Sequence, residues 1–87
     1  MSNEPRSEPR IDYPCRWDYQ VIGEDEQRVR IAVAGIVGNV DYMLTLAHLS
    51  KKARYCSLDL SLEVESAERR LAIFEALRRH ADVRYVL

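Results

Sequence analysis

The chain has 87 residues, of which 47% are hydrophobic and 31% are charged, and its formal net charge is −1. This length has room for one hydrophobic core, and the composition is that of a compact domain rather than a disordered chain. A charge so close to neutral gives no electrostatic reason to expect nucleic acid or an anionic membrane as a partner.

The N-terminus is polar. Residues 1–10 contain no apolar side chain after Met1, so we expect them to form a flexible tail that precedes a single domain over residues 11–87. The tail lacks the apolar region of a secretory signal, and two cysteines are too few for the disulfide-rich framework of a small secreted domain. Both observations predict a cytoplasmic protein.

The first ordered element is predicted to be a strand that runs from Pro14 to Ile22 and ends at Gly23. Apolar and polar side chains alternate along it, which is typical of a half-buried strand. The residues on its apolar face are Cys15, Trp17, Tyr19 and Val21.

The segment 24–38 fits two interpretations. Its β-branched residues, with Val29, Ile31 and Val33 alternating, favour a strand. Its acidic beginning and the glycine at Gly38 favour a helix, because carboxylates suit a helix N-terminus and glycine often follows a helix C-terminus. We choose the helix because the signals at its two ends agree.

Two strands joined by a hairpin are predicted next. Val40 to Leu49 alternates, and the polar run 50–53 is expected to form the connection. Arg54 to Val64 is the cleanest strand of the chain, because every second residue from Cys56 to Val64 is apolar. A strand with two such different faces belongs to a sheet that is covered on one side only.

The last elements are a helix over 67–79 and a short strand over 83–87. Ser66 is a good N-cap for the helix. Its apolar stripe is predicted to be formed by Leu71, Phe74 and Leu77, with Ala67 and Ile73 nearby. The resulting order, βαββαβ, predicts a ferredoxin-like two-layer sandwich of the α+β class, with a four-stranded antiparallel sheet and two helices on one face.

No motif with a known chemical mechanism is present in the sequence. The three glycines do not have the spacing of a phosphate-binding loop, and no C-x-x-C pair suggests a metal site. The two histidines, His48 and His80, are interpreted as solvated or capping side chains. We therefore expect no catalytic residue, no metal and no cofactor.

The two cysteines allow two interpretations. Cys15 and Cys56 each lie near the beginning of a predicted strand, on its apolar face. We expect the first and third strands to be parallel neighbours in the middle of the sheet, which would bring the two thiols close together. They are then either small buried hydrophobic residues or a redox-linked pair.

Two functions known for this topology are disfavoured. RNA-recognition modules stack bases on aromatic residues of the open sheet face. Here Tyr55 is the one aromatic residue expected on the open faces of the two central strands, and it lies among carboxylates. An enzyme of the acylphosphatase type needs an arginine in a phosphate-binding loop after the first strand. The loop after Gly23 is acidic instead and would repel phosphate.

The chain resembles the YbeD-like family, small bacterial proteins that contain a domain of unknown function. The resemblance extends from about Tyr13 to Leu87 and is carried by the order and spacing of several short segments. These are Tyr13-Pro14-Cys15, Trp17 to Gly23, Ser50-Lys51 with Tyr55 and Ser57, and Val83 to Leu87. It implies a ferredoxin-like sandwich related in shape to ACT domains, a helix over 24–38, and a regulatory role without a known cofactor or catalytic residue.

The sequence thus favours an uncharacterised, non-catalytic regulatory or protein-interaction module. The candidate binding residues are Ser50, Lys51, Tyr55 and Ser57 at the hairpin, where a cation, two hydroxyls and a ring could meet a small anionic ligand or a protein partner. The alternative is that these residues only shape the hairpin. A homodimer through the sheet face or edge is also expected, whereas nucleic acid and membrane are not.

Overall fold

The computed structural model describes residues 11–87 as two layers, a four-stranded antiparallel sheet with two helices packed on one face. The predicted tail, residues 1–10, lies outside the described residues. The elements are β1 (Cys15–Gly23), α1 (Glu26–Val37), β2 (Tyr42–Ser50), β3 (Tyr55–Val64), α2 (Ala67–Arg79) and β4 (Tyr85–Val86). The sheet order is β2-β3-β1-β4, which confirms the ferredoxin-like prediction.

The segment that fitted two interpretations is a helix. Asp25 is the N-cap of α1, and its side chain accepts a hydrogen bond of 3.0 Å from the backbone N–H of Arg28. Val29, Val33 and Val37 are buried along one face. The helix ends at Gly38, whose φ of 79° disfavours any residue with a Cβ. Tertiary burial of the valines therefore outweighs their preference for strands.

Strand β3 provides the centre of the core. Its apolar face, from Cys56 to Val64, is almost fully buried between the two helices and the neighbouring strands. At the middle of the sheet Leu60 pairs with Tyr19 of β1 and with Leu44 of β2. Each fully buried leucine contributes about 1.5–3 kcal/mol of hydrophobic free energy, so this strand anchors both halves of the fold.

The apolar stripe predicted for α2 is wrong in two positions, Ala67 and Leu71, which are both exposed. Ile73 and Leu77 are fully buried, but Leu71 has 52% of its surface exposed. The N-cap Ser66 is as predicted, since its hydroxyl accepts a hydrogen bond from the N–H of Arg69 at 3.1 Å. Ile73 and Leu77 are one turn apart and define the face that packs on the sheet, and Leu71 lies two residues away from it.

Arg70 connects helix α2 to strand β1 and to the segment before it. Its guanidinium lies over the ring of Trp17, at 4.3 Å from the ring centroid, and its Nε donates to the hydroxyl of Tyr13 at 3.0 Å. The hydroxyl of Tyr19 donates to the backbone carbonyl of Arg70 at 2.7 Å. Cation–π contact and hydrogen bonds thus add to the hydrophobic packing of this helix.

The expected proximity of the two thiols is wrong. Strands β1 and β3 are neighbours but antiparallel, with Cys15 opposite Val64 and Cys56 opposite Gly23. The cysteines therefore lie at opposite ends of the sheet, separated along the strands by about 27 Å at the rise of an extended chain. A disulfide requires Cα atoms within about 7 Å of each other, so the two residues cannot form one within this fold.

We expect the two thiols of the folded protein to react very differently with a thiol reagent at neutral pH. Cys56 is fully buried, and burial raises the pKa of its thiol, so it should resist labelling. Cys15 is half-buried and should react first. Mass spectrometry of peptides after timed labelling checks this order. Equal labelling of both residues, or an internal disulfide after mild oxidation, would contradict the fold.

Candidate functional site

Three chain connections meet at one end of the sandwich. They are the β1–α1 connection, the β2–β3 hairpin and the α2–β4 connection, and an open cleft of about 610 Å³ lies between them. Because the sheet is antiparallel, the end of β1, the end of β2 and the beginning of β3 all lie at this end. The cleft is therefore assembled from segments that are far apart in the sequence.

The hairpin forms one wall of the cleft through Ser50, Lys51, Arg54 and Tyr55. The hydroxyl of Ser50 accepts a hydrogen bond of 3.2 Å from the N–H of Ala53, which closes the turn. Arg54 has a φ of 60° in the left-handed region, which lets the chain enter β3. Ser50 therefore shapes the hairpin, as the alternative interpretation requires, while Lys51 and Arg54 line the cleft.

The opposite wall carries three carboxylates, each already engaged. Glu24 pairs with Arg84 at 3.0 Å, and Asp82 lies 3.8 Å from Arg28. The side chain of Asp25 caps α1 by accepting from the N–H of Arg28. The first turn of the helix thus has its own carboxylate in place of an external anion.

Gly23 lets the α2–β4 connection lie directly against the end of β1. A Cβ at this position would stand 2.6 Å from the backbone oxygen of Asp82 and 2.5 Å from a methyl group of Val29. The connection is further fixed by His80, whose Nδ1 accepts from the N–H of Asp82 at 3.1 Å, and by the N–H of Arg84, which donates to the carbonyl of Ile22 at 2.7 Å. His80 thus has a structural role in holding this wall.

Some charged side chains that line the cleft have an ion-pair partner and others do not. Its lining contains four cations and three carboxylates. Arg28 and Arg84 lie within ion-pair distance of carboxylates of the opposite wall, whereas Lys51 and Arg54 form no ion pair within residues 11–87. The hairpin wall therefore carries uncompensated positive charge, which favours an anion in the cleft.

The four residues predicted from the sequence do not all meet in this cleft. Ser50, Lys51 and Tyr55 line it, but Ser57 does not. Ser57 lies one position further on the open face of the sheet, between Ile22 of β1 and His48 of β2, and only 5% of its surface is exposed. Its hydroxyl has no hydrogen-bond partner among the described residues.

Three arginines of the cleft were missed by the sequence analysis as binding residues. Arg54 follows Lys51 and Lys52 closely in the sequence, so a local signal for it existed. Arg28 and Arg84 gave no signal, because they reach the cleft only through the packing of α1 and of the α2–β4 connection. The acidic loop after Gly23 is also less repulsive to an anion than its sequence suggests, since its Glu24 is paired.

The described residues hold no cluster of histidine, cysteine and carboxylate side chains that could bind a metal ion. None of the helices in residues 11–87 is long and apolar enough to cross a membrane. On the open face, Asp18 and Asp59 line a shallow depression, and Glu63 lies on the same face. These carboxylates oppose binding of a nucleic-acid backbone.

Fold and cleft together define a small ferredoxin-like domain with a charged cleft at its hairpin end. The chain belongs to the protein family of unknown function DUF493, whose model matches residues 8–87. An uncharacterized protein of Campylobacter jejuni is 34% identical over 82 residues, which cover 94% of this chain and 92% of that protein. A UPF0250 protein of Hahella chejuensis is 30% identical and covers 100% of both chains. The resemblance to the YbeD-like family is thereby confirmed.

Solved structures show the same fold. A Helicobacter pylori protein, determined in solution, superposes with a TM-score of 0.79 at 26% identity and covers 100% of this chain and 98% of its own. The ACT domain from the GTP pyrophosphokinase of Chlorobium tepidum superposes with a TM-score of 0.61 at 18% identity, covering 83% of this chain and 94% of that domain. The relation in shape to ACT domains is therefore confirmed, and no catalytic function is indicated for the family.

Proposed function

We propose that this protein is a non-catalytic regulatory or interaction module of the cytoplasm that binds a small anionic ligand, or an acidic segment of a protein partner, in the cleft at its hairpin end. The observation that supports this most directly is the unequal pairing of charges. Lys51 and Arg54 line the cleft without an ion-pair partner in residues 11–87, while the carboxylates opposite them are engaged.

The cleft is suited to a ligand of limited size and more than one polar group. Lys51 and Arg54 can donate to anionic oxygens from the hairpin, and the half-buried ring of Tyr55 offers an apolar contact beside them. The cleft is open rather than enclosed, so an extended acidic segment of a protein can enter it as readily as a free small molecule. Both occupants present carboxylate or phosphate oxygens to the same cations.

A regulatory role is supported by the fold and not by the cleft. The architecture also occurs as the ACT domain from a GTP pyrophosphokinase, that is, as a domain of an enzyme. The cytoplasmic location is supported by two cysteines that are unpaired in the structure, since small exported domains usually rely on disulfides. The module is further expected to associate with itself through its sheet.

Replacing both unpaired cations is expected to abolish anion binding without unfolding the domain. We would combine Lys51→Ala with Arg54→Gly, because glycine accepts the left-handed backbone of position 54. Each lost charge-assisted hydrogen bond should weaken binding by about tenfold or more. The probes are inorganic phosphate and succinate, titrated while the backbone amide signals of residues 50–55 are followed by NMR.

The matched control is Lys52→Ala, which removes a positive charge from the same hairpin but from a residue outside the lining of the cleft. Binding that survives in this variant and is lost in the double variant would support the site. Amide signals of the hairpin that do not move with either probe would remove the proposal for small anions. If the control lost as much anion binding as the double variant, the overall charge of the hairpin and not a specific site would account for binding.

A further inference from the structure

Strand β1 is paired along only part of its length on the side of β4. Its ladder with β4 covers residues 21–22, and Gln20 then exchanges two backbone hydrogen bonds, of 3.0 and 2.9 Å, with Leu87. Every second residue of an antiparallel strand turns its backbone groups to the same side, so those of Asp18 and Arg16 face the same side as those of Gln20. No strand of residues 11–87 lies there. This part of β1 is therefore a template for a further strand.

An apolar groove of about 440 Å³ lies beside this free edge. Trp17 and Tyr19 of β1 form one side of it, and Leu71 and Phe74 of α2 form the other. Leu71 is 52% exposed, and Trp17 and Phe74 are only half-buried. A strand added beside β1 would point every second side chain into the groove and cover these surfaces while it satisfies the backbone. Leu71, which does not pack on the sheet, would then contact the added strand.

The groove is lined by one cation, Arg70, and one carboxylate, Asp18. The guanidinium of Arg70 lies over the ring of Trp17 and forms no ion pair within residues 11–87. A carboxylate on an added strand, opposite Trp17, would therefore lie close to a half-buried and unpaired guanidinium. Asp18 is on the other face of β1, where a basic side chain opposite it would form a cross-strand pair.

We propose that this groove binds an extended segment of another protein as an antiparallel strand beside the free edge of β1. The segment carries three successive residues of defined character: an apolar residue opposite Tyr19, a basic residue opposite Asp18 and an acidic residue opposite Trp17. The apolar side chain enters the groove, and the acidic one pairs with Arg70. The added strand lies in line with β4 and has the same direction. The proposal is independent of anion binding, because no residue of the groove lines the cleft at the hairpin end.

A second copy of the chain and the N-terminal residues are less suited to the groove. The long edge strand of a second copy, β2, has no carboxylate, lysine or arginine from Tyr42 to Ser50. Pairing β2 of one copy with β1 of the next would also leave a free edge at each end and build an open-ended chain of molecules. Residues 1–10 contain Pro5 and Pro9, which cannot donate to a ladder, and no apolar residue after Met1. The charges and the apolar lining therefore favour a different protein.

The probe for this site is a capped synthetic peptide of about seven residues, a common strand length. Its centre is valine, lysine and glutamate in that order, with threonine on both sides. We expect it to bind the full chain with a Kd between about 10 μM and about 1 mM, because a short peptide loses much conformational entropy on binding. Binding should shift the NMR amide signals of Arg16 and Asp18.

Methylation of single backbone nitrogens of the peptide tests strand pairing directly. The lysine is opposite Asp18, so its N–H points to β1, and its N-methylation should weaken binding by about tenfold or more. The N–H of the next residue, the glutamate, points away from β1. N-methylation there is the matched control and should leave the affinity nearly unchanged. Equal losses from the two modifications would overturn pairing in this register.

Arg70→Gln tests the ion pair and should weaken binding by about threefold to tenfold. Arg78→Gln, the same change on the same helix but outside the groove, should have no such effect. A peptide with glutamine in place of glutamate should lose the same factor against the unchanged protein and nothing further against Arg70→Gln. The comparison of the two peptides on the unchanged protein remains decisive if Arg70→Gln does not fold. Independent losses in the combined measurement would overturn the pairing with Arg70.

Other occupants of the groove would be recognised in the same spectra. Signals of Arg16 and Asp18 that stay in place at about 1 mM peptide would overturn the proposal. Shifts confined to residues 42–50 would also overturn it, because the peptide would then pair with β2. Signals of Arg16 and Asp18 that move with the concentration of the protein alone would assign the groove to a second copy. Nuclear Overhauser contacts between residues 1–10 and Leu71 would assign it to the N-terminal segment, and either result would overturn the proposal.

Discussion

Gly23→Ala is expected to lower the free energy of unfolding by about 1–3 kcal/mol, the usual effect of forcing an extra methyl group into filled space. The new Cβ would stand 2.6 Å from the backbone oxygen of Asp82 and 2.5 Å from a methyl group of Val29. Val29 is fully buried in helix α1, where valine has one strongly preferred rotamer, and the backbone carbonyl cannot move without shifting the α2–β4 connection. For a domain of this size, whose total stability is about 5–10 kcal/mol, this is a large loss.

The control for this prediction is Gly35→Ala, the same chemical change at a position where a Cβ would meet no atom within 4 Å. Gly35 lies inside helix α1 on its exposed side, so alanine should stabilise the domain by about 0.5–1 kcal/mol. Urea unfolding followed by circular dichroism measures both variants. A Gly23→Ala variant as stable as the unchanged protein, or stabilised like Gly35→Ala, would show that the close approach at Gly23 does not exist in solution.

Gly23→Ala should also change the cleft. The α2–β4 connection that the new methyl group displaces carries Asp82 and Arg84, two charged residues of the wall opposite the hairpin. We therefore expect a folded fraction of this variant, at low temperature, to show altered amide signals at residues 81–84 as well as at residue 23. The absence of a side chain at Gly23 thus affects both the stability of the domain and the shape of the candidate site.

Ile73→Ala should cost about 2–5 kcal/mol, the range measured for large-to-small changes in buried cores. Ile73 is fully buried, and its loss leaves a cavity between α2 and the sheet. Leu71→Ala, two residues earlier on the same helix, should cost less than about 1 kcal/mol because Leu71 is 52% exposed. Both changes introduce the best helix-forming residue, so helix propensity does not account for the difference.

Urea unfolding of this pair of variants decides which residues form the apolar face of α2. Equal losses of stability would support the wider stripe that the sequence predicted. A larger loss for Leu71→Ala than for Ile73→Ala would mean that the helix is rotated about its axis relative to the structure described here.

The order of the elements could be predicted from the sequence because most of them carry their own local signal, segment 24–38 being the exception. The alternation from Cys56 to Val64 defines a strand without reference to the rest of the chain, and Ser66 marks the beginning of α2. The errors concern properties that depend on distant residues. Leu71 and Ile73 are both compatible with an apolar stripe, and only the sheet beneath the helix decides between them.

The error about the thiols has a different origin. The sequence places Cys15 and Cys56 correctly on the apolar faces of β1 and β3, but their separation depends on the relative direction of two strands that are about 40 residues apart. In a βαββαβ fold those neighbours are antiparallel, because a single helix crossover and a hairpin separate them. The predicted order of elements therefore already fixes this direction, and the expectation of parallel strands did not agree with it.

The candidate site was only partly accessible to sequence analysis. Ser50, Lys51 and Tyr55 are close in sequence, so their local cluster could be recognised. Arg84 enters the cleft from the other end of the chain, and its pairing with Glu24 decides how acidic the opposite wall is. The electrostatic character of the cleft is thus a tertiary property. A count of charges along the sequence gives a nearly neutral protein and conceals it.

The contact between Arg70 and Trp17 makes the fluorescence of Trp17 an intrinsic probe of the position of helix α2. Trp17 is the single tryptophan of the chain, and the guanidinium 4.3 Å from its ring centroid is supplied by helix α2. Its emission therefore responds to whether this helix is docked on β1, whereas the amide circular dichroism signal reports helices and strands together. Fluorescence and circular dichroism that change at different denaturant concentrations would reveal an opened form in which secondary structure persists after the helix has left the sheet.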